Sequence, residues 1–399
     1  MSFLFLSPFF PPNAQHYCAA LARRGMRVLA IGDAPPSAQP SALNGVLTEY
    51  VFEPNMADYG ALHAAVGRLV ARHGPLTRLD SNGEHWLESE GRLRDDFGVP
   101  GLSYAETLAL RSKLSMSRVF AKAGIASPET VSGRVPADVR ELARRHGYPL
   151  VVKPDSGSGA VDTFLVESAE ALDTALERDL GAHVVQPFVA GDIVTFDGLS
   201  DAHGRIVFCT SHAYDRGIMQ VRQSGSDGHY YSLRELPPEL ERLGRLAIAA
   251  FDIRERFFHL ELFARPDGSY AGLEINVRPP GGFTPEMISA ACDVDMYGLW
   301  AAMICGASLE DFQYERRYHT AHAGRRVSHR YLLSHEQLER ELGDVLFAVQ
   351  PVPEAFAATM GNTAYLLRHT DLHALKDAIA LVQARAEGSL TPSETESEV

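Results

Sequence analysis

The chain has 399 residues, 45% of them hydrophobic and 22% charged, the composition of a globular protein with room for roughly two to four domains. Its formal net charge of −14 excludes a protein organised around a basic face for nucleic acid or anionic membrane. No segment approaches the ~20 consecutive apolar residues of a membrane span, so the expectation is a cytoplasmic protein with no membrane partner.

Residues 3–6 predict a first strand. The apolar opening lacks a basic n-region and runs into Pro8, Pro11 and Pro12, which argues against a signal peptide. A helix over 14–24 ended by Gly25, a strand over 27–31 and a helix over 59–72 follow. A short strand over 76–80 and a helix over 84–96 continue this βαβ rhythm, the mark of a small parallel sheet covered by helices. No G-x-G-x-x-G follows the first strand, so no dinucleotide site is expected. Asp80-Ser81-Asn82-Gly83-Glu84 falls at a strand's carboxyl end, where open α/β sheets place ligands, although a plain turn explains it equally well.

One amphipathic helix is predicted over 105–123, stopped by Gly124 and Pro128. Strands over 163–166, 183–186, 192–199, 205–212, 256–264 and 270–277 come in antiparallel runs. Helices over 169–178, 238–251 and 295–305 lie beside them, so the middle of the chain reads as α+β. From about 316 the pattern loosens into a small mixed region, and the Ser/Thr/Glu-rich end reads as disordered. Cys18, Cys209, Cys292 and Cys305 show no C-x-x-C spacing and read as reduced, mostly buried thiols.

The strongest chemical signal is the pair of runs around Asp267-Gly268, a hairpin signature. With those two residues as the turn, Glu261 lies opposite Glu274 and His259 opposite Asn276, all on one face. Opposed like charges destabilise a sheet, and a hard cation would explain them. Glu261, Glu274 and Asn276 are therefore candidate Mg²⁺ ligands, with two splayed, solvated glutamates as the bland reading. Arg278, just before Pro279-Pro280-Gly281-Gly282, is placed to fork onto phosphate or carboxylate oxygens.

Lys153-Pro154-Asp155-Ser156-Gly157-Ser158-Gly159 is the second signal: backbone N–H groups that can curl around an anion, plus a cation. A flexible hairpin tip accounts for it equally well, and it is not a Walker A loop. The lysines of the chain are Lys113, Lys122, Lys153 and Lys376 alone, which draws notice to each. The third signal, Val184 to Ile193, would present backbone groups to an adenine and a carboxylate to a ribose, or is merely strand–turn–strand. His259 is a candidate base or a residue behind the metal ligands. Arg216 and Arg222 are candidate substrate contacts or surface cations, and His319-x-x-His322 with His329 reads as chance.

In their order along the chain these pieces resemble the ATP-grasp superfamily over roughly residues 1–310. The Ser112-Lys113 site and the E-x-N-x-R-P-x-G-G ending carry the likeness, which is greatest to carboxylate–amine ligases of the bacterial L-amino acid ligase type. The resemblance implies an ATP-dependent enzyme forming a C–N bond through an acyl phosphate, with ATP and Mg²⁺ (or Mn²⁺) as cofactors and a small carboxylate and an amine as substrates. It implies that Lys113, Lys153 and the Ser156, Gly157, Ser158, Gly159 loop contact phosphates. Gln186, Phe188 and Asp192 would line the adenosine pocket, Glu261, Glu274 and Asn276 would hold the metal, and Arg278 would steady the acyl phosphate with Lys153. The hinge reads Gln186-Pro187 where a glutamate pair is common, Asp192 stands where glutamate is common, and Ser112 where aspartate is common.

The expected fold class is α/β plus α+β: an N-terminal small parallel-sheet domain (1–104), a two-lobed ATP-grasp fold and a small C-terminal mixed region (316–388). The small lobe spans 105–185, the large lobe with the metal site 186–315, and a disordered tail 389–399. Rival readings are an ATP-grasp carboxylase, a nucleotide-biosynthesis ligase, or a non-catalytic ATP-binding regulatory protein. Analogy also allows a homodimer.

Overall fold

The computed structural model describes residues 1–157, 161–217, 221 and 224–386. Ser158, Gly159, Arg222 and the tail from 389 lie outside the described residues.

Strands β1 (Ser2–Leu6), β2 (Arg27–Gly32), β3 (Glu49–Phe52) and β4 (Arg78–Asp80) form a parallel sheet in the order β3-β2-β1-β4. β1 is buried along its length because both sheet faces are covered. Leu4 and Leu6 pack with Leu62, Val66 and Leu69 of the helix Tyr59–His73. Phe3 and Phe5 pack on the other side with Tyr17 and Trp300, the Trp300 ring meeting Phe3 edge-on at 5.7 Å. Trp300 belongs to the helix Met296–Ile304, so a segment from late in the chain fastens this first sheet to the rest.

β5 (Val131–Ser132), β6 (Leu150–Pro154), β7 (Phe164–Val166) and β8 (His183–Pro187) make an antiparallel sheet in the order β5-β8-β6-β7. The Lys153 loop connects β6 to its neighbour β7, as expected for a strand-to-strand connection.

The third sheet comprises β9 (Asp192–Ser200), β10 (Ile206–Thr210), β11 (His212–Tyr214), β12 (His229–Ser232), β13 (Arg256–Ala264), β14 (Tyr270–Asn276), β15 (His319–Arg325), β16 (Leu346–Pro351) and β17 (Thr363–His369). Its order is β14-β13-β9-β11-β12-β15-β17-β16, with β10 beside β9. The mixed region expected beyond 316 supplies β15, β16 and β17 to this sheet. β15 pairs with β12, and the small buried Ala321 and Ala323 make a strand without the bulky alternation that sequence reading looks for.

The helix expected over 105–123 is two helices, Tyr104–Arg111 and Lys113–Lys122. They meet at Ser112, whose extended backbone (ψ 116°) ends the first while its Oγ accepts from Ser115 N to cap the second. With those differences the α/β plus α+β class stands. No single helix among the described residues is long and apolar enough to cross a membrane, and the apolar pair Thr284–Cys292 and Met296–Ile304 is bent by 99°.

Candidate active site

The loop between β13 and β14 is one residue longer than a two-residue turn. Arg265 N bonds Ser269 O at 2.9 Å and Gly268 N bonds Arg265 O at 3.0 Å, which leaves Pro266, Asp267 and Gly268 in the loop. Gly268 sits at φ 82°, the left-handed position such a loop requires. The extra residue would move the glutamates out of register, but a bulge at Leu273 cancels it. Leu262 pairs with Gly272, whereas Glu261 pairs with Glu274 and His259 with Asn276. The expected pairing is therefore present by two compensating irregularities.

The break at Ser112 puts Lys113 at the start of its helix and turns its ammonium onto this ladder. Lys113 Nζ lies 3.4 Å from Glu274 Oε2 and donates to Gly157 O at 3.0 Å. Asp155, at the root of the glycine loop, accepts from Ser112 Oγ at 2.9 Å and from Leu114 N at 2.9 Å, tying loop and helix together. Burial pushes the Lys153 ammonium down to about 8, with Glu274 pulling against it and Lys113 adding to it. Burial alone would raise the Glu274 carboxyl, but Lys113 and Lys153 outweigh it and hold that group below the usual carboxylate range.

The donor set fits a hard cation. Glu261 and Glu274 offer carboxylate oxygens, and Asn276 donates its amide N–H to Glu274 Oε1 at 3.3 Å, which leaves the Asn276 carbonyl oxygen turned away and available. Arg278 is not loose: Glu84 Oε2 accepts from its Nε at 3.1 Å and its Nη2 at 2.8 Å, and Pro279 O accepts from Nη1 at 2.9 Å. Glu84, Arg111, Lys113, Gly157, Glu274 and Asn276 line a shared cleft. Of the segment from Asp80 to Glu84, Glu84 lines this cleft, while Asp80 and Ser81 bond to Arg256 and Glu90.

Sequence reasoning passed over Asp197 and His212. Asp197 on β9 accepts from His259 Nδ1 at 2.6 Å and from His212 Nδ1 at 2.8 Å, and His259 Nε2 meets Glu261 Oε1 at 3.1 Å. Burial disfavours the charge on His259, but Asp197 and Glu261 outweigh it and raise that imidazole to about 10. A period-two reading of Thr195-x-Asp197 in an otherwise apolar strand was the available signal.

Residues 110–258 match the protein family described as the ATP-grasp domain. Over those residues the chain is similar to the ATP-grasp domain. It resembles carboxylate–amine ligases of that superfamily. The L-arginine-specific L-amino acid ligase of Bacillus subtilis is 23% identical over 244 residues, covering 57% of this chain and 57% of that protein. A D-alanine–D-alanine ligase of Streptomyces griseus is 29% identical over 224 residues, covering 49% of this chain and 56% of that protein. The chain therefore spans less than two thirds of the length of each of these relatives. Among solved structures, the L-amino acid ligase from Bacillus licheniformis superposes with a TM-score of 0.72 at 16% identity, covering 94% of this chain and 96% of that one. N5-carboxyaminoimidazole synthetase from Staphylococcus aureus gives 0.70 at 13% identity, covering 96% and 97%. At those identities the likeness is one of fold.

Within the matched residues, Gln186 lies on the same face of its sheet as Lys153, since Lys153 pairs with Val184. Its amide is buried and donates to Thr130 Oγ1 at 2.8 Å. Phe188 is 43% exposed, and Asp192 is exposed at the start of β9. The site therefore has a bonded core of Lys113, Glu261, Glu274 and Asn276 with the buried Lys153 beside it, and an open flank at Phe188 and Asp192. Arg216 pairs with the neighbouring Asp215 at 3.4 Å. His322 is buried between the Tyr230 and Phe283 rings, 5.1 and 6.5 Å away, with no metal-binding group around it among the described residues.

The large sheet is joined to the first sheet by an ionic network. Arg256 donates to Asp80 at 3.3 Å and to Val277 O at 2.9 Å, and Arg94 donates to Glu90 at 3.0 Å and to Leu79 O at 2.7 Å. Burial and the Asp80 charge push the Glu90 carboxyl up to about 7, against Arg94, Ser81 and Arg256. Between the unfolded value of 4.5 and about 7, folded Glu90 holds a proton that the unfolded chain has lost, so this group's contribution to stability falls as pH rises. Glu90→Gln removes that dependence. Its stability relative to the parent is expected to rise by up to about 3 kcal/mol between pH 4.5 and 7.5 and then level off. Urea midpoints across that range test this; a constant difference would show that Glu90 does not titrate there.

Proposed function

We propose that this chain is an ATP-dependent carboxylate–amine ligase, acting through an acyl phosphate on an amino acid or similar small carboxylate and releasing ADP and phosphate. The observation that carries this reading is Glu261 opposite Glu274 on one ladder, with Lys113 3.4 Å from Glu274 and the buried Lys153 beside them. Two opposed carboxylates held among buried cations have no packing purpose and suit a phosphate-bound hard cation. Glu261, Glu274 and Asn276 would hold Mg²⁺ or Mn²⁺, which when bound neutralises phosphate charge.

The chain's own residues do the rest by position and charge. Lys113 and Lys153 meet the phosphates, and the loop from Ser156 and Gly157 brings backbone N–H groups to them. Gln186, Phe188 and Asp192 receive the adenosine. Arg278, aimed by Glu84, holds first the substrate carboxylate and then the acyl phosphate. One carboxylate oxygen bonds to the γ-phosphorus as the bond to the β,γ-bridging oxygen breaks, leaving ADP. The amine nitrogen then bonds to the acyl carbon as the C–O bond to phosphate breaks, and its proton passes to phosphate or solvent. Positioning and charge neutralisation suffice for this chemistry, and no protein nucleophile is called for.

ADP and phosphate release from ATP and Mg²⁺ across a panel of amino-acid pairs, with bicarbonate as a separate arm, tests the reading. Release that depends on the pair, with an amide product, supports it. Release with bicarbonate alone makes the protein a carboxylase, and nucleotide binding without release from any acid makes it a binding protein.

A further inference from the structure

Ladder pairing carries the candidate metal face further across the large sheet. Glu261 on β13 pairs with Thr195 on β9, and His259 pairs with Asp197. Ala213 on β11 pairs with Val194, which places His212 beside Thr195 on the same face. Asn276, Glu274, His259, Glu261, Asp197 and His212 therefore share one surface of four adjacent strands.

We infer that His259 and Asp197 are positioning residues that fix the Glu261 carboxylate for its cation, with His212 bracing Asp197 from the far side. This rests on the reading of Glu261 as a cation ligand. Asp197 is 0%, His212 1% and His259 4% exposed, so the bonds that meet at Asp197 form away from water. A carboxylate only accepts, so each imidazole facing Asp197 donates to it: His259 Nδ1 to Oδ1 at 2.6 Å, and His212 Nδ1 to Oδ2 at 2.8 Å. His259 then presents its other N–H to Glu261 Oε1 at 3.1 Å. Thr195 Oγ1 also donates to Asp197 and accepts from His212 N at 3.0 Å, so the carboxylate at the centre of the row cannot turn.

The consequence falls on Glu261. A glutamate side chain has three torsions to fix, and the row restrains the last of them by holding Oε1. Buried ionic rows of this kind are weak sources of stability, since apolar residues of similar volume do as well or better. A row that ends on a candidate metal ligand has a functional reason to be ionic. His322 provides an internal contrast. It is buried on the same sheet face, paired with Tyr230, but has no bonded partner at either ring nitrogen and lies outside the row.

The test reads cation binding directly, through free Mn²⁺ seen by electron paramagnetic resonance in the presence of a non-hydrolysable ATP analogue. Asp197→Asn and His259→Phe are expected to weaken Mn²⁺ binding by roughly 10- to 100-fold. Metal-free nucleotide affinity should stay unchanged. His259→Gln, which restores a donor to Glu261, should recover part of the loss, and His322→Phe should leave Mn²⁺ affinity as it was. If Asp197→Asn does not fold, the comparison of Phe with Gln at position 259 carries the test. Unchanged Mn²⁺ affinity in those variants, with affinity lost in Glu261→Gln, overturns the positioning role while the ligand reading stands. Affinity unchanged in Glu261→Gln as well overturns both.

Discussion

Replacing Glu274 by alanine is expected to abolish substrate-dependent ADP release, lowering kcat by about 10³-fold or more, equivalent to ~4 kcal/mol of transition-state stabilisation. Glu274 is the point where the site's charges meet: Lys113 at 3.4 Å, the Asn276 amide at 3.3 Å and Glu261 directly across the ladder. Alanine removes a candidate cation ligand and strands Lys113 without its carboxylate. It also removes a negative charge from the place where phosphates would sit, so nucleotide affinity measured without divalent metal should hold or tighten while turnover disappears. That opposition separates the expected mechanism from simple damage to the site, because misfolding would weaken both. Glu274→Gln keeps the volume and one oxygen donor but not the charge, and should fall between parent and alanine. ADP release by a coupled assay, alongside nucleotide titration with chelator present, provides both readings. Turnover within tenfold of the parent in the alanine variant would mean the glutamate pair is not the reaction centre.

The site was more legible in the sequence than much of the fold around it, for a physical reason. Glu261, Glu274, Asn276 and Arg278 lie within one hairpin, where local pairing decides which side chains meet, and Asp267-Gly268 marks the turn. Even there the loop is one residue longer than the Asp267-Gly268 turn predicts, and only the bulge at Leu273 restores the pairing. Local rules reach such a site without reading its irregularities. Lys113 and Lys153 could be singled out by type and motif, but their meeting with Glu274 depends on packing between distant segments. The break at Ser112 shows how this happens. The hydrophobic pattern over 105–123 is continuous, so periodicity predicts one helix. The competing bonds come from Asp155, 43 positions on, and no window on the sequence contains both. The Asp197 row is hidden in the same way, since its members come from β9, β11 and β13 and become neighbours only through strand order. Beyond 316, β15 is hard to read because small residues fill it and the hydrophobic alternation that marks a strand is weak there.

Two glycine-to-alanine substitutions are expected to act in opposite directions, and the larger effect joins the fold to the site. Gly198 lies in β9 between Cys209 on β10 and Phe258 on β13, immediately after Asp197. A methyl group there would overlap the carbonyl oxygen of Phe208 and the ring of Phe258. Neither can yield easily, because the oxygen is fixed by the backbone of a paired strand and the Phe258 ring is fully buried, stacked on Phe196 at 5.6 Å. Gly198→Ala must therefore push β9 away from its neighbours, at a cost of about 3 kcal/mol or more. The strand that moves carries Asp197 and Thr195, so the hydrogen bonds reaching Glu261 through His259 should loosen with it. Gly67, in the helix Tyr59–His73, has nothing within 4 Å of an added methyl, and alanine is the better helix former. Gly67→Ala should stabilise by up to ~1 kcal/mol with no change at the site. Thermal or urea unfolding of the two variants, with Mn²⁺ affinity measured on whatever Gly198→Ala protein folds, checks both parts. Parent-like stability at position 198 would mean that β9, β10 and β13 do not pack as closely as described, and the row built on their spacing would lose its support.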